Sequence, residues 1–346
     1  MEMAYKFLKA FFIIIALVAA ERLATLIHEA GHLVMGKLSG YRFVSFRIGP
    51  AALVRDEGRL RFMKTGNIAG TGGQCIMLPP DGCEPEKTPI VLYYLGGGLF
   101  NILTAVLSFV LLIRSDNVYV KTFVLFLGAI SAAQAVINLV PLKGTVYNDG
   151  FNIRLSLTSP ADRITMYRIL RISGHPDLSP GQMPEEYFMC QDQGEYAEIS
   201  RMMRGYYMLD RKEYAEAERL FTGCARSREG LPELYRLEAK AALLLCLLMR
   251  GADDLEISSV YDKELQKYLQ KTGRYQMDKR CILYAYQLLN RKDEKAAEEE
   301  YAAMLKLQDN AFSGDIRMQL SLAEEAALTA EGVLIKEGVH ENQGAG

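Results

Sequence analysis

Three long apolar runs in the first 141 residues set the strongest limit on what this chain can fold into. The first begins after Lys6 and Lys9, continues through Phe11–Ala20 and reaches Met35. The second spans 90–113 and the third 118–141, with the short polar link Arg114-Ser115-Asp116-Asn117 between them. About 20 apolar residues cross a bilayer as a helix, so each run is long enough to span. A secretory signal peptide is the rival reading of the first run. Against it, the small-residue stretch Val18-Ala19-Ala20 leads directly into more apolar helix. From about residue 155 charged residues dominate instead, which at 346 residues suggests about two domains. The net charge of −2 gives no reason to expect nucleic acid. The six cysteines form no CxxC pair, which favours a reducing compartment.

Inside the first run stands His28-Glu29-Ala30-Gly31-His32. Histidines at i and i+4 share one face of a helix, about one turn apart, and can reach one metal ion. Glu29 then lies beside that ion, where it can take a proton from an activated water. The HExxH pattern thus points to a zinc hydrolase, although two histidines on a structural helix can produce it by chance. Glu21, Thr25, His28 and His32 form one polar stripe, and Glu21 can instead simply pair with Arg22. Polar stripes recur in the second run (Gly97, Asn101, Thr104, Ser108) and the third (Ser131, Gln134, Asn138). For Thr104, Ser108 and Ser131 hydrogen bonding between helices is the simpler reading. Gly96-Gly97-Gly98 suits close helix approach.

A zinc site needs a third protein ligand. Leu38 stands where an extended motif would carry a third histidine, and His175 and His340 lie in polar sequence far downstream. The remaining candidates are carboxylates; Asp149 stands out, following the third run in an expected turn, Asn148-Asp149-Gly150, while Asp56 and Glu57 stay open. Asn148, as a neutral neighbour, is expected to tolerate change better than Asp149. Between the first two runs, 41–78 alternates like strands and carries turn signals at Gly49-Pro50 and Asp56-Glu57-Gly58. Its glycine-rich stretch at Gly70, Gly72 and Gly73 could offer an edge to an extended peptide.

HEAGH, then Gly-Gly-Gly-Leu-Phe-Asn101, then Asn138-Leu139-Val140-Pro141 with Asp149-Gly150, resemble the site-2 protease family of intramembrane zinc metalloproteases over about residues 5–155. The resemblance implies Zn2+ held by His28, His32 and Asp149, with Glu29 as general base. It implies that Asn101 and Asn138 serve the substrate and active site, and that 41–78 is a membrane-associated hairpin holding a substrate strand near Gly72 and Gly73. The gap from Asn138 to Asp149 is longer than the family's usual spacing, and no PDZ insertion is present. The implied substrate is a transmembrane protein that must unwind locally.

Beyond residue 186 amphipathic helices follow one another. Gly205, Tyr214, Ala217 and Phe221 sit at offsets 0, 9, 12 and 16, and Ala285, Ala297 and Tyr301 repeat 0, 12 and 16. These are tetratricopeptide packing positions, without the Trp-Leu signature. The expected architecture is mainly α. Residues 1–155 form a three-helix transmembrane core with spans at about 7–35, 90–113 and 118–141 and a β segment at 41–78. A helix and linker (156–185), a tetratricopeptide-like domain (186–338) that could bind a protein partner, and a disordered tail (339–346) follow. The expected setting is the lipid bilayer, a multi-pass protein of the bacterial cell membrane with the C-terminal domain in the cytosol. A non-catalytic membrane-anchored tetratricopeptide scaffold is the alternative function.

Overall fold

The computed structural model describes residues 2–65, 72–144, 146–227 and 231–342, with backbone alone over 333–342. It is mostly helical with one small antiparallel sheet. Among the described residues three helices are long and apolar enough to cross a membrane: α1 (Glu2–Leu38), α2 (Ile90–Arg114) and α3 (Val118–Leu139). Ala20 and Ala24 of α1 pack on Leu127 of α3, with Phe123, Phe126 and Ile130 around them. Gly31 of α1 meets Gly96 of α2 backbone to backbone: a methyl at either position would lie 2.3–2.4 Å from the other's carbonyl oxygen. The glycine of HEAGH therefore sets how closely α1 and α2 cross. Away from these seams, Leu103, Val106, Leu107, Val110 and Ile113 are exposed, an apolar surface of the kind a bilayer covers.

Between α1 and α2 lie β1 (Arg42–Ile48), β2 (Ala51–Asp56), β3 (Arg59–Lys64) and β4 (Gly73–Leu78), in the order β3–β2–β1–β4. The expected strand over 68–78 begins at Gly73, and Gly70 lies outside the described residues. Strand β1 pairs antiparallel with β4, Arg47 opposite Gln74 and Ile48 opposite Gly73, with a bulge between Phe43 and Ser45. Met77 of β4 is buried against Gly36 of α1.

The chain divides into two compact units, Met1–Arg55 with Asn67–Gly174, and Asp56–Gly66 with His175–Gly346. The first includes α4 (Asp149–Thr158) and α5 (Pro160–Ser173), so the boundary expected at 155 falls inside α4. Ser159 caps α5 by accepting from Asp162 N, with Pro160 at its first turn. Arg163 of α5 donates to the carbonyls of Pro85, Glu86 and Thr88, and Arg171 pairs with Asp81 at 3.1 Å. These bonds join α5 to the loop before α2.

The second unit carries α6 (Ala197–Asp210), α7 (Tyr214–Arg226), α8 (Glu233–Arg250), α9 (Asp254–Val260), α10 (Lys263–Thr272), α11 (Met277–Ala285), α12 (Glu294–Leu305) and α13 (Ser313–Asn342). Helices α6 and α7 pack as a hairpin in which Gly205 leaves room for the buried Phe221 ring. At the corresponding positions of α11 and α12, Ala285 and Ala297 are buried but Tyr301 is 37% exposed. The second copy therefore lacks the ring-on-glycine contact of the first, and a π-helical turn at Tyr286–Arg291 interrupts it. The tail expected to be disordered begins within α13, and 343–346 lie outside the described residues.

Candidate metal centre

Among the described residues, His28, His32 and Asp149 form a group able to hold a metal ion. Both histidines are buried on the inner face of α1, 7% and 5% exposed. Their Nε2 atoms are 3.2 Å apart. Asp149 Oδ2 lies 3.2 Å from His28 Nε2 and 3.3 Å from His32 Nε2. A small tetrahedral ion with His nitrogen and carboxylate oxygen bonds of about 2.0–2.1 Å requires ligand atoms about 3.3 Å apart. The triangle meets that requirement on all three edges. Asp149 Oδ2 is buried, and the groups that face it are the Nε2 atoms of His28 and His32. Burial would raise the Asp149 carboxyl, but the neighbouring His32 and His28 outweigh it and hold it at about 2, so it offers a full negative charge.

Asp149 reaches this place by a local structure that the sequence reading did not anticipate. The expected turn at 148–150 is the start of helix α4, with Asn148 as its N-cap. Asn148 Oδ1 accepts from Phe151 N at 2.9 Å and from Leu142 N at 3.3 Å. Its Nδ2 donates to the carbonyls of Ile137 (2.6 Å) and Val140 (2.7 Å) at the end of α3. Asn148 thus ties the end of α3 to the start of α4. Gly150 is needed at the same junction, because a methyl there would lie 2.2 Å from the Leu139 carbonyl oxygen.

Glu29 is buried against the first residue of β4, since a methyl on Gly73 would lie 2.6–2.7 Å from its Cγ and Oε1. Arg47 of β1, 3% exposed, donates to the carbonyls of Gly49 (3.0 Å) and Gly73 (3.2 Å). Burial lowers the Arg47 guanidinium below the usual arginine range, and the Glu29 carboxylate acts in the opposite direction. Sequence reading missed Arg47; a strand residue buried as a charge beside a carboxylate shows itself only once β1 and α1 are packed. Gly97 of α2 reads in the sequence as a helix-packing glycine. A methyl there would lie 2.5 Å from His32 Nε2 and 2.6 Å from His28 Nε2, so its missing side chain opens the space facing the ring nitrogens.

Each histidine ring is also held from behind. His32 Nδ1 lies 2.8 Å from the Tyr93 carbonyl, which can only accept; Nδ1 therefore carries a proton, and in the neutral ring Nε2 is the nitrogen left to offer a lone pair. His28 Nδ1 meets the Asn101 amide at 3.2 Å. Asn101 is fully buried and also contacts Gln134 at 3.1 Å.

The structure thus gathers His28, His32, Asp149, Glu29, Asn101 and Gly73. Asn138 instead donates to the Gln134 carbonyl in its own helix at 2.9 Å. Gly72 lies beside Thr25, 3.4 Å from a would-be methyl. Thr104 hydrogen-bonds the Phe100 carbonyl in its own helix, so the expected bond between helices is not what it makes. Glu21 pairs with Arg22 at 3.3 Å, as the simpler reading expected. Comparison of the chain with family models, curated proteins and solved structures finds no match.

Proposed function

We propose that the chain is an intramembrane zinc endopeptidase of the site-2 protease type, acting on a transmembrane segment of a protein substrate. The observation that supports this reading most is the triangle of His28 Nε2, His32 Nε2 and Asp149 Oδ2, with edges of 3.2–3.3 Å, set among helices of membrane-spanning length beside a buried glutamate. Zinc, when bound, supplies Lewis acidity that brings the pKa of water to about 7 and polarises a carbonyl. Glu29 takes the proton of the attacking water and passes it to the leaving amine. Gly73 leaves room for the Glu29 side chain, and Arg47 keeps positive charge near its carboxylate. Burial of both histidines excludes bulk water and strengthens each electrostatic contact. Strand β4 stands at one edge of the sheet, next to α1, where an unwound substrate segment can add as a strand.

The bilayer placement follows from the three apolar helices and their exposed apolar faces. Residues 37–87 are rich in Arg and Lys while the α2–α3 link is not, which favours a cytosolic sheet and C-terminal unit. The α6–α7 hairpin, with Gly205 against Phe221, supports a tetratricopeptide-like unit that binds a protein segment.

The test is a pair of variants in detergent-solubilised full-length protein. Glu29→Gln is expected to retain zinc and to abolish cleavage of a membrane-protein substrate, while His28→Ala loses both. Wild-type cleavage by Glu29→Gln would refute the mechanism. Failure of the wild-type protein to retain any metal would refute the site.

A further inference from the structure

The second tetratricopeptide-like pair differs from the first in what it leaves open. Phe221 is buried under Gly205, whereas Tyr301 reaches the surface, its ring 5.4 Å from that of Tyr284. Helices α12 and α13 both pack on α11 and on the π-helical turn after it, but not closely on one another. The space between them is a groove. Tyr284 of α11 and Tyr301 of α12 line it, together with Leu320, Ala323, Ala327 and Ala330 of α13. Those last four follow at spacings of three and four, so they share one face of α13. From Leu320 to Glu331 the groove follows α13 for about 16 Å, or about three turns at 1.5 Å per residue. A wall of alanines lets a further helix come to ordinary packing distance, about 8–10 Å between axes.

The charge along this groove has one sign. Glu294 and Glu298, one turn apart, stand on α12; Glu324 and Glu331, two turns apart, stand on α13. All four are exposed, and none makes an ion pair among the described residues. Other glutamates of the same two helices are paired: Glu300 with Arg280 at 2.6 Å and Glu325 with Lys212 at 2.6 Å. No Lys or Arg is among the residues that line the groove. Carboxylates at intervals of four and seven on the two sides match the intervals at which a helix lying between them would repeat its flanks.

We infer that this groove docks an amphipathic helix of about three turns from a partner protein, its apolar seam on Tyr284 and Tyr301 and its Lys or Arg flanks against the four glutamates. Laying an apolar helix face into such a groove is an established mode of recognition, and the flanking charges then select the partner. This rests on the partner-binding part of the function proposed above, and not on metal binding or proteolysis.

The experiment is fluorescence anisotropy with detergent-solubilised full-length protein and a labelled peptide of about 20 residues, long enough to be helical. The peptide carries Leu at the two seam positions of each heptad and Lys on both flanks; its twin carries Glu in place of Lys. Wild type is expected to bind the Lys peptide about 10-fold more tightly than its twin, since exposed ion pairs are weak singly and four act together. Glu298→Lys with Glu324→Lys is expected to abolish that preference, and adding Glu294→Lys with Glu331→Lys to invert it. These side chains are exposed, so the core is left alone, and comparison in one detergent subtracts binding to the micelle. Equal binding of both peptides by wild type, or a preference that survives all four reversals, would overturn the inference while segment binding by this unit would stand. A wild-type protein that binds neither peptide would overturn both. A wild-type dimer that the reversals dissociate, followed by light scattering, would give the groove to a second copy of the chain and overturn the inference too.

Discussion

Gly97→Ala should empty the metal centre without touching a ligand. The added methyl would sit 2.5 Å from His32 Nε2 and His28 Cε1 and 2.6 Å from His28 Nε2. Ordinary contact begins near 3.5 Å, so each ring must retreat by about 1 Å. Neither can do so freely, since His32 is held by the Tyr93 carbonyl at 2.8 Å and His28 backs onto buried Asn101 at 3.2 Å. Shifts of that size exceed the roughly 0.2 Å tolerance of a metal–ligand distance several times over. At least one ligand is lost, and metal affinity should fall by more than about 100-fold, beyond the usual effect of an outer-sphere change. The fold should survive, because alanine gains about 1 kcal/mol of helix propensity against an overpacking cost of about 1–3 kcal/mol. Metal content by mass spectrometry, with circular dichroism on the same sample, measures both effects. Gly128→Ala is the control: its methyl meets Ser108 Cβ at 3.0 Å, away from the histidines, and should leave metal content unchanged. One equivalent of tightly held metal in Gly97→Ala would refute the reasoning.

Three other outcomes are expected. Asn148→Ala removes an N-cap and two bonds to the end of α3, so thermal melts should show a loss of about 2 kcal/mol, together with weaker metal binding as Asp149 is released. In the C-terminal unit, Lys279 is 1% exposed, paired with Glu238 at 2.5 Å and with Asp278. Lys279→Ala leaves those carboxylates facing each other and should cost about 3 kcal/mol in a denaturant titration, the low end for a broken buried pair because Asp278 keeps a 37% exposed side chain. Cys190 is exposed, whereas burial pushes the Cys224 and Cys281 thiols up to about 12. A membrane-impermeant maleimide should therefore label Cys190 far faster than either; under the topology proposed above it should do so in sealed vesicles only from the cytosolic face, and labelling from the opposite face would overturn that proposal.

By itself the sequence determined the features that depend on neighbours along the chain. Apolar runs of more than 20 residues can hide their peptide groups only as helices, and the three helices lie where those runs do. Spacing at i and i+4 sufficed to put His28 and His32 on one face, and Ser159-Pro160 sufficed to start α5. Tertiary structure decided what depends on atoms distant in sequence. Asn148 reads as a bystander in a turn, yet it caps α4 and holds the end of α3, because only the folded chain brings those carbonyls to its amide. Gly97 and Gly73 carry no side chain to advertise a role; their role is the space that the histidines and Glu29 occupy. Gln134 lies 109 positions from the Thr25 hydroxyl it bonds, and Arg47 shares no local pattern with Glu29. Both join the site only because α3 and β1 pack against α1, and a buried polar group takes its partners from whatever that packing supplies.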